Sequence, residues 1–232
     1  MEILLPIFSI IFTALFGILA YVNYQAKKKR LDALNAFALA HGLSFSPDRD
    51  VSLRTRYPFF SAFQRGHSQY AYNIFQGSYK NKDILAFDYH YAITVHTKNG
   101  TRTQHYHFSA VVLRTDFPLK TLAIRPETLL DKIGEFVGLD DIDFESNEFS
   151  RKFFVTAKEK KFAYDMIHQG MMKYLLENPN YLIRMDHNEI LIYQNKIFQP
   201  EEIAKCLDVG VGMIERVPAY LIKELNENPS LS

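Results

Sequence analysis

Several residue types that mark particular protein classes are scarce in this chain. It contains no tryptophan and a single cysteine, Cys206, among 232 residues. One cysteine cannot form a disulfide within the chain, which excludes the disulfide frameworks of small secreted domains. The 27 lysines and arginines nearly balance the 26 aspartates and glutamates, and the formal net charge is +1. This balance excludes the strong positive field of most nucleic-acid-binding proteins, so we expect no nucleic-acid partner.

Motifs that carry enzymatic chemistry are missing as well. The chain has no H-E-x-x-H, C-x-x-C or G-x-S-x-G pattern. Gly210 and Gly212 do not follow a strand, so they predict close packing of a helix and not a phosphate-binding loop. The acidic run GLDDIDFES at 138–146 lacks the ligand spacing of a calcium loop. The sequence therefore favours a non-enzymatic role without a cofactor.

What the chain does contain is a long hydrophobic segment at its start. Residues 3–22 read ILLPIFSIIFTALFGILAYV and include no charged side chain. As a helix, about twenty residues span roughly 30 Å, the thickness of the hydrocarbon core of a bilayer. Four basic residues follow at once, namely Lys27, Lys28, Lys29 and Arg30. The sequence predicts a transmembrane anchor over residues 1–25.

A cleavable signal peptide is the alternative for the same segment. Such a peptide carries basic residues before a shorter apolar core, whereas only Met1 and Glu2 precede residues 3–22. Because the basic cluster follows the span, the positive-inside rule places the N-terminus outside and the rest of the chain in the cytoplasm, at the inner (plasma) membrane. The cluster is also a candidate contact for anionic lipid headgroups.

The rest of the chain has the patterns of an α+β domain with a mostly antiparallel sheet. A helical period over 26–41 predicts a helix continuing from the membrane, and Gly42 predicts its C-terminal cap. Alternating runs on both sides of Asn99–Gly100 predict a long hairpin. A second hairpin is predicted with its turn at 186–188.

The C-terminal part predicts a β-α-β-β-α order behind that sheet. The remaining elements expected are a strand at 121–125, a short helix at 127–137, a helix at 161–177, and a last helix that begins at Pro200 and splits near Pro218. We expect one soluble body over residues 26–226, with 138–150 as the place where subdomains would divide, and a disordered tail over 227–232.

The long hairpin gathers histidines on one face. With Asn99 and Gly100 as the central turn residues, Lys98 faces Thr101, and one face of the ribbon is apolar while the other is polar. The polar face holds four of the eight histidines. Its members are Asp88, His90, Thr94, His96, Thr103, His105, His107 and Ser109.

Three interpretations of this polar face stay open. The first is the ordinary exposed face of an antiparallel sheet. The second is a metal site, because imidazole and carboxylate groups bind zinc and similar ions; its candidate ligands are His90, His105, His107 and Asp88. The third is a pH-sensitive contact surface, whose neutral histidines would charge together near about pH 6.

Four short segments of the chain are similar to those of a known group of proteins. They are HGLSF at 41–45, AFDYHY at 86–91, IRPE at 124–127, and D-I-D-F-E-S with E-F-S-R-K-F at 141–153. On these segments the chain resembles a family of bacterial proteins that have an N-terminal membrane helix and no assigned activity. The resemblance implies a membrane helix and a shared body fold, and it implies no functional residue.

These observations predict a membrane-tethered cytoplasmic interaction or scaffold module. Its expected partners are the lipid bilayer, through residues 3–22, and a protein that the sequence does not identify. One alternative is a lipid-binding or lipid-sensing domain with an apolar cavity near the bilayer. The other is a metal-dependent enzyme that uses the histidine face of the hairpin.

Overall fold

The computed structural model describes residues 4–98, 100–127 and 139–227, with side chains from Phe12 onward. Its helices are α1 (Leu4–Ala40), α2 (Leu53–Arg56), α3 (Asn147–Lys152), α4 (Lys160–Met166), α5 (Gln169–Glu177), α6 (Pro200–Glu215) and α7 (Ala219–Glu227), with a 3₁₀ turn at Ser61–Phe63. Its strands are β1 (Ser44–Ser46), β2 (His67–Tyr79), β3 (Lys82–Thr97), β4 (Gly100–Pro126), β5 (Asp140–Asp141), β6 (Phe153–Ala157) and β7 (Leu182–Gln194).

The described strands form one antiparallel sheet organised around the long strand β4. The order is β1-β2-β3-β4-β6-β5, and β7 also pairs with β4. One edge of β4 carries β3 along its first half and β6 along its second half, while β7 follows the other edge. Helices pack against this sheet, which confirms the predicted α+β class with an antiparallel sheet. Strands from both sides of residues 138–150 join the same sheet.

The second hairpin predicted from the sequence is wrong, because β7 is a single strand. Ile183 pairs with Ile124 and Ile190 pairs with Leu113, so both halves of β7 lie along β4. The register shifts between these pairs, and His187 adopts a positive φ of 54°. The turn-forming residues at 186–188 therefore form an irregularity within a strand. The separately predicted strand at 121–125 is likewise the second half of β4.

The helix expected over 161–177 is divided into α4 and α5. His168 caps α5, since its Nδ1 accepts a hydrogen bond from the Gly170 amide at 3.1 Å. The predicted division near Pro218 is confirmed, because α6 ends at Glu215 and α7 begins at Ala219. The helix predicted at 127–137 lies outside the described residues, apart from its first residue, and so does nearly all of the tail at 227–232.

Both faces of the sheet are covered by apolar cores. One core lies between the sheet and the helices, where Leu34 of α1 and Leu207 of α6 meet β-strand residues such as Val111. The other lies beneath residues 53–63, where Phe60 and Phe63 pack with Tyr89 and neighbouring side chains. The strands of the sheet centre are thus buried on both sides.

Helix α1 divides into a packed part and an exposed part. Leu34, Phe37 and Ala38 are buried in the body, and Gly42, with φ 65°, ends the helix as predicted. The large apolar side chains of the earlier part are 54–71% exposed, namely Phe12, Leu15, Phe16, Ile18, Leu19, Tyr21, Val22 and Tyr24. Among the described residues, no helix combines the length and apolar content that a membrane crossing requires. The transmembrane helix predicted over 3–22 is therefore not supported by them.

Candidate functional site

The junction between α1 and the sheet is a buried ion pair. Arg30 donates to both carboxylate oxygens of Asp88, from Nη1 to Oδ2 at 2.7 Å and from Nη2 to Oδ1 at 3.1 Å. Asn73 and the Ser109 hydroxyl also donate to Asp88, which is only 2% exposed. Arg30 Nη2 donates in addition to the Phe198 carbonyl at 2.7 Å. This two-pronged geometry fixes α1 to the sheet at one defined point.

The junction changes the roles that the sequence suggested for both residues. Arg30 was predicted with its neighbours to contact lipid headgroups, but its side chain is only 18% exposed and pairs with Asp88 instead. Asp88 was a candidate metal ligand, but both of its oxygens already accept hydrogen bonds. Lys27, Lys28 and Lys29 are exposed, so they remain candidates for the predicted contact with lipid headgroups.

The observed register of the long hairpin differs from the predicted one by two residues. Thr97 pairs with Gly100, so His90 directly faces His107, and Asp88 faces Ser109. Gly100 is the first residue of β4, with φ 124°, and is not a central turn residue. A shift of two keeps every side chain on its predicted face, because side chains alternate with a period of two.

Three histidines and two tyrosines come together on the helix-facing side of the hairpin. His90 Nε2 lies 3.0 Å from His105 Nδ1, and the rings of His90 and His107 are 4.8 Å apart. Tyr70 stacks on His90 at 4.6 Å, and the Tyr72 hydroxyl lies 3.1 Å from His107 Nδ1. We call these five residues the histidine–tyrosine cluster. The sequence predicted its histidines but not the tyrosines, which β2 contributes through pairing with β3.

Electrostatics disfavour a positive charge on His90 and on His107. Burial lowers the pKa of His90, and nearby His105 and Arg49 lower it further, against the opposing effect of its hydrogen bond with the Ser68 carbonyl. Partial loss of hydration lowers the pKa of His107, and the neighbouring His90 and His105 lower it further, against the opposing effect of Asp88. Protonation of either of these two rings opposes protonation of the other.

The described residues give no support to a metal site at the cluster. No group of three or more histidine, cysteine, aspartate or glutamate side chains among them is arranged to hold a metal ion. His90 already bonds to the Ser68 carbonyl at Nδ1 and to His105 at Nε2. The metal site stays a prediction from the sequence.

The predicted polar face is covered at one end and open at the other. Asp88, His90 and Ser109 are buried, whereas His105 and His107 are exposed. The covered end was missed because Arg30 reads in the sequence as part of a basic stop signal. A signal was present, since Asp88 is the only acidic residue between Asp83 and Asp116. Residues 84–97 of β3 carry no other lysine, arginine, aspartate or glutamate, and a lone carboxylate within such a stretch requires a basic partner when it is buried.

Two clefts lie elsewhere on the body. One, of about 420 Å³, is lined by Lys120, Asp186 and neighbouring residues of 115–121, 158–159 and 186–188. The other, of about 470 Å³, contains Arg114 and Glu189, with Arg114 Nε 3.2 Å from Glu189 Oε1. Burial raises the pKa of Glu189, and Arg114 partly opposes this. Both are open clefts of mixed polarity, unlike the enclosed apolar cavity that holds a lipid chain.

The geometry defines a body with an antiparallel sheet, with its longer helices on one face and the short α2 on the other. Helix α1, whose first part is apolar and exposed, is joined to this body by the Arg30–Asp88 ion pair. No protein-family model and no curated protein sequence matches this chain. Among solved structures, the chain is similar to the crystal structure of the mycobacterial trehalose monomycolate transport factor A, TtfA. The TM-score is 0.60 at 12% sequence identity, and the match covers 81% of this chain and 95% of that chain. At this identity the likeness shows a shared fold alone.

Proposed function

We propose that this protein is a membrane-tethered, non-enzymatic interaction module that acts at the bilayer surface in a lipid-related process. The observation that carries the proposal is the exposed part of α1. Between Phe12 and Tyr24 its large apolar side chains point to every side of the helix, while the same helix is packed into the body from Arg30 onward.

A lipid bilayer is the environment that matches a helix with apolar side chains exposed on every side. Burying one large aliphatic or aromatic side chain stabilises by about 1.5–3 kcal/mol, so leaving many of them in water is costly. A single partner helix covers one stripe only, whereas lipid surrounds every side. We therefore propose a single membrane-spanning segment over residues 3–22, with an uncharged sequence throughout.

The same residues suggest the orientation of the chain. Lys27, Lys28 and Lys29 are exposed directly after the apolar segment. The positive-inside rule then puts the N-terminus outside and the body in the cytoplasm at the inner membrane. The three lysines lie where anionic headgroups would meet them.

The lipid-related part of the proposal draws on the structural neighbour. That protein's name describes a transport factor for trehalose monomycolate, a lipid. In the present chain, side chains fill the cores on both faces of the sheet, and the two clefts described above are open and of mixed polarity. We therefore favour lipid contact at the surface of the body over a lipid held inside it.

Flotation of the full chain with phosphatidylcholine vesicles, after a carbonate wash, tests the proposal. Wild-type protein should float with the vesicles. The double variant Phe12→Lys/Phe16→Lys should stay largely at the bottom, because each charge near the bilayer centre costs about 3 kcal/mol. Val51→Lys, an equally exposed apolar site on the body, is the matched control and should float like wild type. Equal flotation of both variants would contradict the proposal.

A further inference from the structure

Two side-chain contacts relate the direction of helix α1 to that of strand β3. The rings of His41 and Tyr79 are 5.6 Å apart, and Tyr79 pairs with Lys82 at the start of β3. Arg30 contacts Asp88 further along the strand. Between these two contacts α1 advances about 16 Å and β3 about 20 Å. Moving toward the N-terminus of α1 therefore means moving toward the end of β3 that forms the hairpin turn.

Beyond the Arg30–Asp88 pair, the helix and the hairpin continue in that common direction. From Arg30 to Val22 the helix covers about 12 Å, and from Asp88 to Thr97 the strand covers about 30 Å. A hairpin inclined by as much as about 60° to the helix still advances about 15 Å along it. At any inclination up to that angle, Thr97 reaches the level at which the proposed membrane segment of α1 leaves the bilayer.

The composition of this end of the hairpin suits a membrane surface. We call its described residues, 94–98 and 100–106, the hairpin tip. Lys98 and Arg102 are exposed basic residues in the tip, and Val95 and Tyr106 are 44% and 36% exposed. Basic, aromatic and aliphatic side chains together are typical of segments that rest in the headgroup layer.

The charges in the sequence around the tip also favour contact with a membrane surface. The tip contains no aspartate or glutamate, and between Asp88 and Asp116 the chain holds Lys98, Arg102 and Arg114 but no carboxylate. Asp88 itself is buried and paired with Arg30. The exposed surface near the tip is therefore complementary to negatively charged headgroups.

We propose that the hairpin tip is a second membrane contact, which rests on anionic phospholipid headgroups of the bilayer that α1 enters. The inference depends on the membrane anchoring proposed above. Because α1 holds the tip beside the bilayer, even a weak contact is populated at high effective concentration. Two points of attachment, α1 and the tip, would hold the sheet in one fixed orientation above the membrane.

Site-directed labelling of the full chain in vesicles tests this contact. The only cysteine, Cys206, is completely buried, so a fluorophore attached to an introduced cysteine reports on that site alone. We expect a label at Thr101→Cys in the tip to be shielded from water in vesicles that contain phosphatidylglycerol. A label at Asp83→Cys, an exposed site at the other end of the same hairpin, should stay in water.

Charge reversal separates the role of the headgroups from that of mere proximity. Lys98→Glu/Arg102→Glu should lower the equilibrium constant for contact between the tip and the headgroups by at least about thirtyfold, as measured from shielding of the Thr101→Cys label. The reason is that each basic residue near an anionic surface raises this constant about fivefold. Lys173→Glu/Lys205→Glu makes the same charge change at two exposed sites on α5 and α6 and should have no effect.

The outcomes separate this inference from the proposed function. Protein that floats with vesicles while its tip label stays in water would overturn the tip contact and leave the anchor standing. Shielding that persists after the Lys98→Glu/Arg102→Glu reversal, or that occurs in detergent without lipid, would overturn the headgroup contact. Protein that does not float at all would overturn the proposed anchoring itself.

Discussion

Arg30 and Asp88 link the exposed helix to the folded body. A buried carboxylate that loses its charged partner is left with an uncompensated charge, which typically costs a few kcal/mol. In this chain Asn73 and Ser109 would still donate to Asp88 after Arg30 was removed. These two remaining donors would reduce the loss of stability. The position of α1 on the sheet depends on the Arg30–Asp88 pair.

Arg30→Ala should lower the free energy of unfolding by about 2–3 kcal/mol. The measurement is urea unfolding of the full chain in detergent, followed by circular dichroism because the chain has no tryptophan. Lys28→Ala, at an exposed basic residue two positions earlier, is the control and should change stability by less than about 0.5 kcal/mol. Equal effects of the two substitutions would mean that the ion pair does not hold α1 to the body.

The sequence could predict which histidines lie together but not the side chains that surround them. His90, His105 and His107 share a face because of strand alternation, so the sequence could predict their grouping. The sequence could not predict that Tyr70 and Tyr72 would join them, since this requires the pairing of β2 with β3. Nor could it predict the lowered pKa values of His90 and His107, because the hydration of each ring depends on which side chains surround it in the folded sheet.

Elements with strong local signals could be predicted, and those decided by pairing could not. Gly42 and Pro218 mark helix ends through their own backbone preferences, so these boundaries were correct. The turn-like residues at 186–188 suit a hairpin or an irregular strand equally well, and the neighbouring β4 decided between them. Similarly, a two-residue shift of the long hairpin leaves the alternation unchanged, so the pattern could not distinguish the registers.

Helix α6 packs closely against the sheet at Gly210 and against α5 at Gly212, and close packing at both glycines was predicted from the sequence. A Cβ atom on Gly210 would overlap the Leu113 side chain of β4, and one on Gly212 would overlap the Tyr174 hydroxyl of α5. Leu113 is completely buried, so it has little room to move. Gly210 therefore sets the distance between α6 and β4.

Gly210→Ala should destabilise the body by about 1–2 kcal/mol, because overpacking outweighs the gain in helix propensity. The same urea unfolding experiment measures it. Gly17→Ala, in the exposed part of α1, is the matched control, since nothing lies within 4 Å of its added methyl group. A Gly210→Ala variant as stable as wild type would show that α6 can shift away from Leu113 without loss.

At the scale of the whole molecule, the chain combines a compact α+β body with a helix that extends beyond it. The packed part of α1 belongs to the body, and the exposed part has no covering among the described residues. The hairpin turn lies toward the same end, with basic residues and no carboxylate between Asp88 and Asp116. Under the proposed function, these features together would orient the molecule toward a membrane.

Water accessibility along α1 tests the central claim most directly. Single cysteines are introduced at each position from Phe12 to Tyr24 of the full chain in vesicles, and their reaction with a water-soluble thiol reagent is measured. The account predicts slow reaction from Phe12 to Val22 on every side of the helix, with fast reaction resuming near Tyr24. Fast reaction repeating every three to four residues, as for a helix covered on one side by a protein partner, would contradict it.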